Sequence, residues 1–533
     1  MLVAAASRRM SPPTAPAPPA PVVLIRSSAY ASLPSPGNRV GTGDASNMPT
    51  IQATTGNNAI LTADGAHHYR LVGLQIKAPT TLLQGSIVKI GGGETTLAEF
   101  PTDITIDRCL IRGDPTVGAR RGVQLDGIRC AVIDSYIDNC KEDASDTQAV
   151  WAYNTPGPLK IVNNYCEASG ENIMFGGADA VYSNSVPSDV EIRRNHLKKP
   201  TAWIGLGWQV KNNLEFKNAQ RVLCEGNVLE NTWPAESDQP GTGFLITVRN
   251  QDGGAPWSVT QDITFRFNKT INTQGGVNIS GIDGNPSLET TRITLSDNLF
   301  VSTVLYAGGT QRSWSTVNGP DSVEIVNNTF IITDATGAVG YMSGEVSGSG
   351  LTVKNNVFIQ REYGILGDAV GTGTVGFNAY FTSWSYTYNM MVGGASGSYP
   401  GSSGNLFPAN TTAAKFTNYA GGDYSLASDS PGHNAGSDGT DMGADFSLLN
   451  TAIANTTDGQ WGSEPATYSD RTYTNAELPR SYVDTRYAAQ TGTTWNCTTA
   501  AEFTTALAGC AVGDTIVLTA GNTFTGSFTL RNI

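Results

Sequence analysis

The chain is poor in the residues that most function classes need. Among 533 residues there are four histidines and seven cysteines, and no two cysteines stand in a CxxC pair. That leaves no zinc-ligand spacing. Charged residues are only 15%, and the net charge is −13, which argues against a protein that tracks nucleic-acid phosphates. No apolar run is long enough to span a bilayer, so no membrane partner is expected. Glu, Lys, Ala and Leu are too sparse for a helical protein. What is abundant is Gly, at 60 residues, with Ser, Thr and Asn, a β-rich and turn-rich composition.

The start, "MLVAAASRRM", is a poor secretory signal, because Arg8 and Arg9 follow the apolar residues instead of preceding them. "SPPTAPAPPAP", Ser11 to Pro21, reads as a polyproline-like spacer, and residues 1–21 as a disordered Pro-rich segment. The acidic balance suits an extracellular protein, or acidic side chains that hold a cation such as calcium.

The length calls for several domains or one elongated repeat. "VEIRRNHLKKP" (Val190 to Pro200) decides between them, because its shape recurs in "LKIVNNYCE", "RVLCEGNVLE", "ITFRFNKTI", "ITLSDNLFV", "VEIVNNTFI" and "LTVKNNVFI". Aligned on their terminal polar residues, the strands end at Arg108, Ser135, Asn164, Asn195, Asn227, Asn268, Asn298, Asn328 and Asn356. The intervals are 27, 29, 31, 32, 41, 30, 30 and 28 residues, the signature of a solenoid. Each unit alternates apolar and polar residues, and no helix lies between units, so one repeat fits one coil of a parallel β-helix. The Asn has a structural reason there. It tolerates the left-handed conformation at a sharp turn, and stacked amides hydrogen-bond from coil to coil. On this pattern Arg193, Arg194 and His196 are rung decoration, and His67, His68 and His196 lack ligand spacing.

"ITIDRCLIRGDP", "DTQAVWAYNTPGPLKIVNNYCEASGENIMFGG", "LEFKNAQRVLCEGNVLEN" and "VRNQDGGAPWSV" resemble bacterial right-handed parallel β-helix proteins of the pectate-lyase-like superfamily. The likeness covers most of Val23 to Phe446. It implies an all-β right-handed parallel β-helix over residues 22–446. The superfamily holds polysaccharide lyases, glycoside hydrolases, tailspikes and adhesins, so the implied partner is a polysaccharide and the implied location extracellular or at the cell surface.

The order of elements is unusual. A closing coil at Asp423 to Phe446 is followed by a polar linker, 447–482, and then the pattern restarts. "TAAEFTTALAGCAVGDTIVLTAGNTFTGSFTL" opens with a capping box, Thr499 with Glu502, and continues into strands. In the superfamily this is how a β-helix opens. Residues 483–533 therefore read as a permuted opening element, as the start of a second copy, or as a cap on the chain's own or a neighbour's open end, the last allowing head-to-tail or trimeric assembly. Cys497 and Cys510 flank the short helix and are a candidate disulfide.

Chemistry is sought on the second strand of each coil: "GVQLDG", "TQAVWAYN", "ENIMFGG", "NLEFKNA", "LITVRNQ" and "GVNISG". Alternation points Leu125, Ile173, Phe175, Leu214, Phe216, Ile246 and Val248 inward, and Gln124, Asp126, Asn172, Glu215, Lys217 and Arg249 outward. Breaking a uronide chain by β-elimination needs a base for the C5 proton and positive charge on the carboxylate. "LEFKNAQRV" resembles the Lys- and Arg-bearing strand of β-helix lyases such as chondroitinase B and alginate lyases, which implies Lys217 as base with Arg221 or Arg249 as partner and Glu215 beside it. A Lys flanked by Arg has a depressed pKa, and calcium held by acids such as Asp143 and Asp146 would neutralise the substrate. Asp126, Asn172, Trp151 and Trp208 are the candidate substrate contacts, with Trp203, Trp233 and Trp257 in the same half of the chain. Two alternatives stay open. A hydrolase would draw a carboxylate pair from Asp126, Asp143, Asp146, Glu171 and Asp179. An adhesin or tailspike-like protein would use the same charges as a solvated ladder with no chemistry.

Overall fold

The computed structural model describes residues 19–234, 241–302, 312–333, 336–401, 403–462 and 475–533. The strands line up into three long sheets of 14, 13 and 13 strands among the described residues, built by stacking successive coils in parallel except for the short antiparallel pair Tyr363–Gly367 with Gly371–Thr372 at the end of the third. One coil shows the plan: Ser188–Arg193 in the first sheet, His196–Lys198 in the second, Leu214–Phe216 in the third. The next coil starts at Ala219–Glu225, which pairs with Ser188–Arg193. This is a right-handed parallel β-helix, the hand that parallel crossovers take.

Register places like on like. Val190 pairs with Val222 and Ile192 with Cys224 in the first sheet, and Leu197 with Leu229 in the second. Inward residues therefore form continuous columns, and none of those named is exposed. Between the sheets runs an aromatic column, with Phe244 stacked on Phe265 at 4.4 Å and Phe300 on Phe330 at 4.4 Å. Each such side chain buried stabilises the stack by about 2–3 kcal/mol, so stability is shared coil by coil along the axis.

The Asn turn works differently from the expectation. The left-handed residue is the one before the ladder Asn: Asn163, Arg194, Asp297, Asn327 and Asn355 have φ of 57°, 54°, 52°, 56° and 59°. The ladder Asn itself is released from that constraint and turns its amide along the axis. Asn164 Nδ2 donates to Val132 O at 2.8 Å and to Asn195 Oδ1 at 3.0 Å. Arg108 belongs to the left-handed column, with φ 47°. The ladder position of its coil is Cys109, whose N–H donates to Ser135 Oγ at 3.0 Å.

The C-terminal segment stacks on the chain's own first coil. Thr515–Leu518 pairs with Val23–Ser27, Thr523–Thr525 with Thr50–Gln52, and Phe528–Leu530 with Ile60–Thr62. The helix Ala500–Gly509 plugs the end, with Phe503 against Phe528 at 4.6 Å. The capping box of Thr499 and Glu502 is formed. All seven cysteines are free buried thiols, so Cys497 and Cys510 are not bridged.

The expected linker has structure where it is described. Phe446–Ile453 is a helix that buries Leu449 and Ala452. Residues 475–490 form a strap running back along the outside of the first sheet. Glu477 N–H donates to Asp262 at 3.1 Å and Arg480 N–H to Asp189 at 2.9 Å. Val483 packs with Ala131, Ile133 and Val162, and Tyr487 lies under the Arg70 guanidinium at 3.6 Å. The strap covers a salt-bridge ladder in which Arg193 joins Glu191 and Glu225, both at 3.0 Å. No helix among the described residues is long and apolar enough to cross a membrane.

Candidate functional site

The third sheet presents an outward column in which Gln124, Trp151, Met174, Glu215, Leu245 and Asn278 occupy successive rungs. A second column at the strand entry holds Arg121, Gln148 and Glu171. Short strands and tight exits set the geometry. Only Lys217 and Asn218 separate Leu214–Phe216 from Ala219, so Lys217 stands at the sheet corner.

Glu215 lies on the strand and Lys217 just beyond its end at the corner, and the two pair at 3.3 Å. Glu215 is also held by Asn212 Nδ2 at 3.0 Å. Burial opposes the charge on Lys217, but Glu215, Glu171 and Asp146 outweigh it and raise its pKa above the ordinary lysine value. Lys217 is therefore a firm ammonium, which overturns the expectation of a depressed lysine base.

Two fully buried groups at this corner, Glu171 and Lys199, are moved toward neutrality from opposite sides. Burial, with Glu215 and Asp146 as like charges, pushes the Glu171 pKa up to about 7, against the pull of Lys217 and Lys211. Gln148 Nε2 donates to its Oε2 at 2.7 Å, and its Oε1 is buried without a partner. Asp146 and Lys211 pair beside it at 2.6 Å. Behind the corner Lys199 is fully buried and donates to Ala168 O, Gly170 O and Asn172 Oδ1. Burial lowers its pKa to about 7, opposed by Glu171.

Several expected site residues lie elsewhere. Arg221 follows Lys217 by four residues but has turned the corner into the first sheet. There it pairs with Asp189 at 2.7 Å, beneath the strap. Arg249 does stack beside Lys217, its N–H donating to Lys217 O at 2.9 Å, but its guanidinium is taken by Asp283 at 2.8 Å. Asn172 points inward at the corner and donates to Cys166 O and Lys198 O at 2.7 and 2.9 Å. Asp126 has no exposed surface and accepts from the N–H groups of Tyr153 and Asn154 at 2.7 and 2.8 Å. Neither is available to a substrate.

Trp151 is only 6% exposed, stacked by Tyr153 at 4.6 Å and by the Arg121 guanidinium at 3.9 Å, so its ring offers no free platform. Trp208 packs with Trp203, Val210 and Trp233, 4.9 Å from the Lys141 ammonium. Asp143 is exposed, while Asp146 is committed to Lys211. This pair does not fit a calcium ion, and no group of three or more His, Cys, Asp or Glu among the described residues is arranged to hold a metal. Sequence reasoning passed over Lys199. Its only signal is its place two residues after Leu197 in an inward phase, which a lysine rarely occupies without partners.

No protein-family model matches the chain, and no curated protein matches it. Solved structures do. The PL6 family alginate lyase AlyGC is 12% identical, with a TM-score of 0.40, over 94% of this chain and 65% of that one. The catalytic unit of the GH87 alpha-1,3-glucanase from Streptomyces thermodiastaticus is 14% identical, with a TM-score of 0.35, over 70% and 68% of the two chains. The Dettilon tailspike protein is 16% identical, with a TM-score of 0.30, over 64% and 60%. The chain thus spans just under two thirds of the alginate lyase.

Proposed function

We propose that this β-helix protein acts on an acidic polysaccharide outside the cell, cleaving it by β-elimination at the third-sheet corner. The observation that carries the reading is Glu171: a fully buried carboxyl group with one oxygen without a partner, set among Glu215, Lys217 and Asp146, its pKa raised by burial and by its like charges. A carboxyl group that titrates near neutrality is what general-base work requires. Lys217, ammonium and 12% exposed along its side chain, is placed to pair with a uronate carboxylate and so to stabilise the carbanion-like intermediate. Glu171 in its ionised form takes the C5 proton. The C4–O bond breaks, the C4–C5 double bond forms, and the leaving oxygen collects a proton. Glu171 has no exposed surface, so a sugar reaches it with local movement of the corner.

A non-catalytic glycan-binding protein is the second reading. It is supported by Arg249 being engaged with Asp283 and Lys217 with Glu215, which suit a salt-bridge ladder without chemistry. Incubation with a panel of uronic-acid polymers, followed at the absorbance of unsaturated uronide, tests both. The lyase reading expects a chromophore that Lys217→Ala removes. Binding without product sinks it in favour of the binding protein, and new reducing ends without the chromophore sink it in favour of a hydrolase using Glu171 and Glu215.

A further inference from the structure

The outer face of the second sheet carries a separate cavity of about 390 Å³, walled by residues near Arg39 and by the stretch 457–460. Its floor is a column of three rings on successive rungs. Tyr136 stacks on Tyr165 at 4.3 Å and 13°, and His196 meets Tyr165 edge-on at 5.4 Å. Such a wall offers apolar ring edges and polar tips together, which suits a sugar.

Arg39 borders this cavity and is 6% exposed. Its Nη2 donates to Thr457 O at 2.5 Å, while its Nη1 is buried with no partner. No carboxylate among the described residues forms an ion pair with it. The carboxylate whose charge acts on Arg39 is Asp134, which accepts from Gly37 N–H at 2.7 Å and from Asn163 Nδ2 at 2.7 Å, and the other nearby acids are committed elsewhere. Glu167 accepts from Tyr165 Oη at 2.8 Å, and Glu230 pairs with His196 at 2.8 Å and Lys198 at 3.0 Å. Burial accordingly lowers the Arg39 pKa to about 10, the mark of an under-compensated cation. A buried guanidinium with a bare N–H is costly until an acceptor arrives, and a carboxylate is its strongest match. Because Nη1 is enclosed, a ligand in the cavity reaches it with local movement of the surrounding chain.

We infer that this cavity is a second site, binding one carboxylate-bearing sugar unit through Arg39, with the Tyr136–Tyr165–His196 column as its floor. Asp44 and Asp458 stand at its border, which favours a singly charged sugar acid over a polyanion. The inference does not depend on cleavage.

The test is calorimetric titration of the full chain carrying Lys217→Ala, which silences the third-sheet site, with D-galacturonate and with glucose. Galacturonate should bind, with glucose at least about tenfold weaker, and adding Arg39→Met should weaken galacturonate at least about tenfold. Because Arg39 also holds Thr457, Gln460→Trp is the companion variant. It narrows the mouth and leaves Arg39 intact, and should weaken binding by a similar factor. Absence of galacturonate binding, equal binding of glucose, or unchanged affinity in either variant overturns the site. Loss of cleavage in Lys217→Ala with retained galacturonate binding separates this proposal from the one for the third sheet.

Discussion

Asn195 donates twice to Asn227: its backbone N–H reaches Asn227 Oδ1 at 2.9 Å and its Nδ2 reaches the same oxygen at 3.0 Å. Asn227 repeats the pattern onto Asn268 and also donates to Ile192 O at 2.9 Å. One amide thus satisfies two donors behind it and two acceptors around it, all fully buried.

Removing that amide orphans buried groups on both neighbouring coils. Asn227→Ala should cost about 3 kcal/mol, since each unsatisfied buried polar group costs about 1–3. Asn227→Ser should cost less, because Ser135 fills the same column and accepts from Cys109 N–H at 3.0 Å. Urea denaturation of the three proteins measures this. Equal stability of Asn227→Ala and the parent would refute the ladder's role.

Asp107 anchors the strap. It has no exposed surface, sits between Arg70 at 2.7 Å and Arg108 at 2.8 Å, and accepts from the Tyr487 hydroxyl. Asp107→Asn leaves two buried cations without a counter-charge and should cost about 3–5 kcal/mol. Tyr487→Phe removes one hydrogen bond and should cost about 1 kcal/mol while loosening the strap. Limited proteolysis should then cut between residues 475 and 490 sooner in either variant. Unchanged cleavage rates would show that the strap is held by other contacts.

Asp126 predicts a pH-dependent stability. Burial pushes its pKa up to about 6, against hydrogen bonds from Gln124, Tyr153 and Asn154. The folded state therefore holds its proton more tightly than the unfolded chain. Its contribution to stability is full below about pH 4 and is lost as the pH rises through about 6. Asp126→Asn fixes the neutral form, and its Oδ1 can keep the two backbone donors. The variant should gain on the parent by up to about 3 kcal/mol between pH 4 and pH 7.5, at roughly 1.36 kcal/mol per pKa unit. Denaturation midpoints at both pH values decide it, and a constant difference between the two proteins counts against the buried acid.

The fold was legible because a repeat announces itself many times. The strands at Val190, Val222, Ile263 and Ile293 share one phase, and no local error could erase the period. The site was less legible, for a geometric reason. Alternation tells in from out along a straight strand, but it fails at a corner. Asn172 sits where the second sheet turns into the third, and its outward phase becomes inward. Arg221 is close to Lys217 in sequence but lies across the next corner. Charge state was also hidden, since Lys217 is raised by Glu171 and Asp146, residues 46 and 71 positions away in sequence. The strap was unreadable because its partners lie hundreds of residues earlier: Asp262 and Asp189 for its backbone N–H groups, and Ala131, Arg70 and Asp107 for Val483 and Tyr487.

Glu171 gives the sharpest functional prediction. Burial and the like charges of Glu215 and Asp146 raise its pKa, so cleavage that uses it as base should rise with pH above the ordinary carboxylate range and then level. Glu171→Gln removes the base and should lower the rate about 100-fold or more, leaving a flat profile. Lys217 holds the Glu171 pKa down, so Lys217→Met should move the midpoint of any residual activity upward. The same burial makes Glu171 a stability liability. Its favourable contribution is full below about pH 4.5 and is lost as the pH rises through about 7. Glu171→Gln should therefore be the more stable protein at pH 8 while being the less active one. A variant that loses stability at pH 8, or that keeps a sloped activity profile, would remove Glu171 from the proton-transfer role.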